Sequence, residues 1–103
     1  MPQSLSKLYV HIIFSTKHRQ PFLREKNIKN QLYKYIGKVI TEYDSHPIII
    51  NGTSNHIHIL CNLSKNIQLS KLIGKIKRNS SKWIKNKREK MKKFYWQRGY
   101  GAF

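Results

Sequence analysis

Ile48-Ile49-Ile50-Asn51-Gly52-Thr53-Ser54-Asn55-His56-Ile57-His58-Ile59-Leu60-Cys61-Asn62-Leu63 decides the fold of this 103-residue chain. Two apolar, β-branched runs flank a polar segment that begins at Asn51-Gly52, the pattern of a β-hairpin with a somewhat long loop. Successive side chains on a strand point to opposite faces, so His56 and His58 share one face while Ile57, Ile59 and Cys61 share the other. One face can be buried, and the other presents two imidazoles. Two neutral imidazoles a few ångströms apart make half of a site for a divalent ion, with coordination positions left open for a phosphate oxygen. The plainer alternative is a pair of half-buried polar strand residues, since His-x-His also arises by chance.

The charge balance bears on that choice. The chain carries 21 Lys+Arg against 4 Asp+Glu, a net charge of +17. Such an excess repels itself in a compact fold but suits a polyphosphate partner. At this length the sequence predicts one domain over residues 1–103, and 39% hydrophobic residues can fill a modest core. Cys61 is the lone cysteine, which excludes an internal disulfide and a Cys-rich zinc site. Its apolar neighbours make it a small core residue, and a reducing cytoplasm fits. No signal peptide is visible, and no apolar run approaches the roughly 18 residues of a membrane span. The basic charge therefore points first to nucleic acid, with an anionic membrane surface a distant second, and no membrane partner is expected.

Outward from the hairpin, Leu8 to Phe14 is a β-branched and aromatic run closed by Ser15-Thr16-Lys17-His18-Arg19-Gln20-Pro21, a first strand and a loop. From Glu25 to Tyr43, Ile28, Leu32, Tyr35, Ile36, Val39, Ile40 and Tyr43 recur at helical spacing, and His46-Pro47 ends that segment before a strand at Ile48-Ile49-Ile50. A second helix is predicted over Gln68 to Lys87, with Leu69, Leu72, Ile73, Ile76, Trp83 and Ile84 on one stripe and Lys71, Lys75, Arg78, Lys82 and Lys85 on another. Lys85 to Lys93 reads as a charged linker, and Phe94 to Phe103 as a final strand entered through Phe94-Tyr95-Trp96. The order β-α-β-β-α-β predicts an α+β, ferredoxin-like antiparallel sheet with both helices on one face and the other free for function.

Four stretches carry a family resemblance: Tyr9-Val10-His11-Ile12-Ile13-Phe14-Ser15-Thr16-Lys17, Asn55-His56-Ile57-His58-Ile59-Leu60, Leu72 to Ser81 with Lys77 and Ser80-Ser81 before Trp83-Ile84, and Trp96-Gln97-Arg98-Gly99-Tyr100-Gly101-Ala102-Phe103. Together they resemble the small single-tyrosine HUH transposases of bacterial insertion sequences and their repeat-associated relatives. The likeness covers nearly the whole chain in the family's order. The resemblance implies transesterification of single-stranded or hairpin DNA. In it, two histidines hold Mg²⁺ or Mn²⁺ against the scissile phosphate, and a tyrosine hydroxyl attacks phosphorus to give a 5′-phosphotyrosine and a free 3′-hydroxyl. His56 and His58 take the metal role.

The family's nucleophile lies on a further helix, beyond the strand that contains Tyr100, and a polar side chain one turn later completes the metal site. The resemblance therefore implies that a chain ending at Phe103 lacks the catalytic tyrosine and is inactive alone. An inactivated copy, a shortened form and a retained DNA-binding derivative all remain open. Tyr100 is expected to be structural or DNA-facing, its alternative role being a substitute nucleophile. Relatives act as homodimers, and a homodimer is expected here too.

For DNA contacts the sequence offers the loop Lys17, Arg19 and Arg24, and on the second helix Lys71, Lys75, Lys77, Arg78, Lys82 and Lys85. The alternative for each is a solvated surface charge. His11 shares a strand face with Tyr9 and Ile13 and could support the site as a phosphate or second-layer contact, or be only a half-exposed sheet histidine. His18 and His46 fall in loops and carry no role. A non-catalytic reading keeps the same sheet as a binder of single-stranded DNA or RNA, with Phe94, Tyr95, Trp96 and Tyr100 stacking on unpaired bases.

Overall fold

The computed structural model describes residues 7–103. Its elements are β1 (Tyr9–Ser15), α1 (Lys26–Glu42), β2 (His46–Gly52), β3 (His56–Asn62), α2 (Leu69–Lys85) and β4 (Gly101–Ala102), with short 3₁₀ turns at Lys17–Arg19 and Glu89–Lys93. The strands form one antiparallel sheet in the order β2-β3-β1-β4. This is the α+β, split β-α-β arrangement expected from the sequence.

Alternation along the two central strands creates the two faces. Val10, Ile12 and Phe14 of β1 pair with Cys61, Ile59 and Ile57 of β3, and all six are buried. The intervening pairs His11–Leu60, Ile13–His58 and Ser15–His56 lie on the opposite face and stay partly exposed. Helix α1 contributes Ile28, Leu32, Ile36, Val39 and Ile40 to the covered side, and α2 contributes Leu72, Ile73, Ile76 and Ile84. Neither helix has a side-chain N-cap or an acidic residue in its first turn. Burial of these apolar stripes, rather than capping, is what holds the helices.

Three sequence expectations need correction. The second strand begins at His46, so His46 sits on a strand and Pro47 lies inside it. Proline is tolerated because β2 is an edge strand, and the pairing register slips between Pro47 and Ile49. The charged linker contains a 3₁₀ turn that buries Met91. The final strand is not continuous. Lys17 N–H donates to the Tyr95 carbonyl and Gln97 N–H to the Ser15 carbonyl, both at 2.8 Å, whereas the next pairing with β1 is Gly101 opposite Ile13. Four residues advance where β1 advances two, so Arg98-Gly99-Tyr100 bulges from the edge, with Gly99 at φ 82°. Phe94 and Trp96 are taken by the core: Phe94 is fully buried against Phe22 and Trp96, and Trp96 Nε1 donates to Ser80 Oγ at 3.0 Å.

Candidate functional site

The β2–β3 loop sets the first histidine. Gly52 is required there because a Cβ would collide with the His56 carbonyl. That tight return places Thr53 and Asn55 beside the His56 ring, with Nδ1 lying 2.8 Å from Thr53 Oγ1 and 2.9 Å from Asn55 Oδ1. An amide oxygen can only accept, so Nδ1 carries the proton and Nε2 keeps its lone pair. His58 Nδ1 lies 3.4 Å from His11 Nε2, a contact in which either ring can supply the proton. The His56 and His58 rings are 4.9 Å apart between centroids. Locking Nδ1 of His56 sets the tautomer that a metal-binding imidazole needs.

The other wall comes from β1 and the two interruptions in regular structure. A cleft of about 370 Å³ is lined by Ile13, Ser15, Arg19, His56, His58 and the bulge from Arg98 to Gly101. Arg19 reaches it through an unusual backbone, since His18 and Arg19 both adopt φ 55°. Outliers of this kind cost on the order of 1–3 kcal/mol each and persist only where the surroundings enforce them. Here the enforcing contacts are the 3.0 Å bond from His18 N–H to Gln97 Oε1, the Arg19 N–H bond to the Thr16 carbonyl, and Asn55 Nδ2 near the Arg19 carbonyl. Desolvation, then the neighbouring His58, then Arg19 all push the His56 pKa below the ordinary imidazole value. The site is thus biased toward a neutral, metal-competent His56.

The donor set fits a divalent ion as a sparse shell: two nitrogens, with no group of three His, Cys, Asp or Glu side chains among the described residues. Any remaining ligands would have to come from water, phosphate or another chain. The structure brings His11, His56, His58, Arg19 and Tyr100 to one side of the molecule. Tyr100 is the one tyrosine of the six that lines the cleft. Lys71, Arg78 and Lys82 are exposed on α2, across the sheet from the histidines, because α2 spends its other face on the core. Lys85 lies 4.0 Å from the Tyr95 ring centroid, with Lys17 5.8 Å from the same ring. Lys77 is committed inward, its ammonium donating to the carbonyls of Gln97 and Gly99 at 2.9 and 2.6 Å. Arg98, Thr53 and Asn55 received no role from the sequence. Asn55 could have been found from its position immediately before the histidine pair, but only the bulge, which sequence patterning does not show, brings Arg98 into the cleft.

Fold and site together define an α+β sheet domain whose uncovered face carries a paired-histidine cleft ringed by arginines. The chain belongs to the family Transposase IS200 like, which it matches over residues 4–103. Two solved structures share the fold. A candidate transposase from Deinococcus radiodurans R1 superposes with a TM-score of 0.86 at 16% identity, the match covering 100% of this chain and 85% of that one. A REP-associated tyrosine transposase bound to a REP hairpin gives a TM-score of 0.67 at 14% identity, covering 100% of this chain and 61% of that one. No curated protein matches the sequence.

Proposed function

We propose that the cleft binds single-stranded or hairpin DNA at a phosphate, with His56 and His58 holding Mg²⁺ or Mn²⁺ through ring nitrogens. The observation that carries this is the convergence of His58 and an Nδ1-locked His56 with Arg19 and Arg98 in one cleft. A bound ion would neutralise charge that develops on the non-bridging oxygens during transesterification. Arg19 and Arg98 offer charge-assisted donors for the flanking phosphates. Tyr100 lines the same cleft and serves as a DNA-facing wall rather than as the attacking nucleophile. The hairpin held by the REP-associated relative supports DNA of this kind as the partner. Exposed Tyr9, Ile49 and Phe103 lie on the uncovered side of the sheet and suit association with a second copy.

The test is a labelled hairpin oligonucleotide with and without Mn²⁺, resolved on a denaturing gel beside a native binding assay. Metal-enhanced binding without a covalent adduct is the expected result. A phosphotyrosyl adduct abolished by Tyr100→Phe would instead make Tyr100 the nucleophile. Absence of binding at low salt would remove the DNA reading altogether. Sedimentation of the free protein tests the homodimer.

A further inference from the structure

The bulge Arg98-Gly99-Tyr100 has an unusual support. Leaving the β ladder frees carbonyls that a continuous strand would pair, and an edge segment of this kind ordinarily turns to water. Here Lys77, from the helix layer, reaches around the sheet edge and gives hydrogen bonds to two of those carbonyls, Gln97 at 2.9 Å and Gly99 at 2.6 Å. Its ammonium also lies 5.2 Å from the Phe14 ring centroid. One helical turn on, buried Ser80 accepts from Trp96 Nε1 at 3.0 Å, so α2 grips both ends of the segment that precedes Tyr100. Desolvation lowers the Lys77 pKa, as expected for an ammonium withdrawn from solvent.

We infer that Lys77 is a positioning residue for the cleft: its ammonium replaces the missing ladder and fixes the bulge so that Arg98 and Tyr100 face His56 and His58. It does so from the covered side of the sheet and touches no DNA itself. The consequence for binding rests on the proposed DNA site, but the structural role does not.

Two readouts separate these levels. In Lys77→Met, the backbone amides of Gly101 and Phe103, where the chain rejoins β1 past the bulge, should exchange about tenfold faster or more, while those of β3 and α2 keep their protection. Lys77→Arg, which retains donors, should restore much of that protection. Single-stranded DNA affinity should fall with the slope of log affinity against log salt unchanged, whereas a direct phosphate contact would take about 0.7 from that slope. Unchanged exchange at Gly101 and Phe103, or a slope reduced by one contact, would overturn the positioning role. If the unmodified protein binds no DNA, the DNA reading fails and the exchange result still decides the role of Lys77. Should Lys77→Met not fold, the unmodified protein suffices: a clamped ammonium gives a persistent ¹H–¹⁵N signal for Lys77 near neutral pH, and loss of that signal to solvent exchange would count against the clamp.

Discussion

The two sides of the sheet are built from the same strands but use opposite chemistry. On the covered side, Ile12, Phe14, Ile57 and Ile59 are closed off by two helices held by apolar stripes. On the open side, their immediate neighbours His11, Ile13, His56 and His58 stay half-exposed and border a cleft with two arginines. Residues one position apart in sequence therefore belong to different tasks, stability on one side and recognition on the other. The basic stripe of α2 shows the same rule from the helix layer. Its exposed members face solvent, but from the side away from the histidines.

The sharpest way to break this division is a pair of adjacent substitutions on β3. Ile59→Ala should destabilise the fold by about 2–4 kcal/mol, from lost transfer energy and the cavity left behind. Leu60→Ala, on the open side, should cost less than half of that, as measured by urea unfolding. Equal costs would mean that the open face is buried in solution, which association between copies would explain. Next in size is the metal. His56→Ala with His58→Ala should abolish Mn²⁺ binding that is weak to begin with, about micromolar to millimolar, because two neutral nitrogens are a sparse shell for a hard ion. The unfolding midpoint should hardly move, since neither ring is in the core. Mn²⁺ binding that survives the double substitution, followed by electron paramagnetic resonance, would place the ion elsewhere.

Periodicity made most of this division legible in the sequence. Strict alternation in β1 and β3 predicted which residues face the helices, and the helical stripe of α1 needed no cap to be recognised. The site was legible only in part. His56, His58 and His11 follow from alternation, because strand register is local. Arg98 and Lys77 do not, since both depend on a break in strand pairing between Gln97 and Gly101 that no period records. Phe94 and Trp96 show the complementary failure: exposed stacking and core packing use the same aromatic residues, and only the fold decides between them.

The third comparison sets cleft against helix. Arg19→Ala with Arg98→Ala should weaken single-stranded DNA binding by roughly tenfold or more, because each charge-assisted bond is worth about 1.5–3 kcal/mol before compensation by water and salt. Neutralising Lys71, Arg78 and Lys82 together should do less. If those three contact phosphates directly, their loss would flatten the salt dependence by about 0.7 each. That outcome would show DNA wrapping from one side of the molecule to the other, and an unchanged slope would confine it to the cleft.

The smallest expected effect is on the titration of His56 in the metal-free protein. Desolvation, His58 and Arg19 all disfavour its charged form, so its folded pKa lies below the ordinary imidazole value of 6.5. In the window between the folded and unfolded values, the unfolded chain binds more protons, and stability therefore rises with pH across it. Above 6.5 this contribution is constant; as pH falls through the window, protonation favours the unfolded chain. Arg19→Ala removes only the last of the three causes, so the His56 pKa should move up part of the way and remain depressed. Following the His56 ring proton by NMR against pH gives the shift directly. A pKa unmoved by Arg19→Ala would mean that the guanidinium points away from the histidines in solution, leaving Arg98 as the cation that faces them.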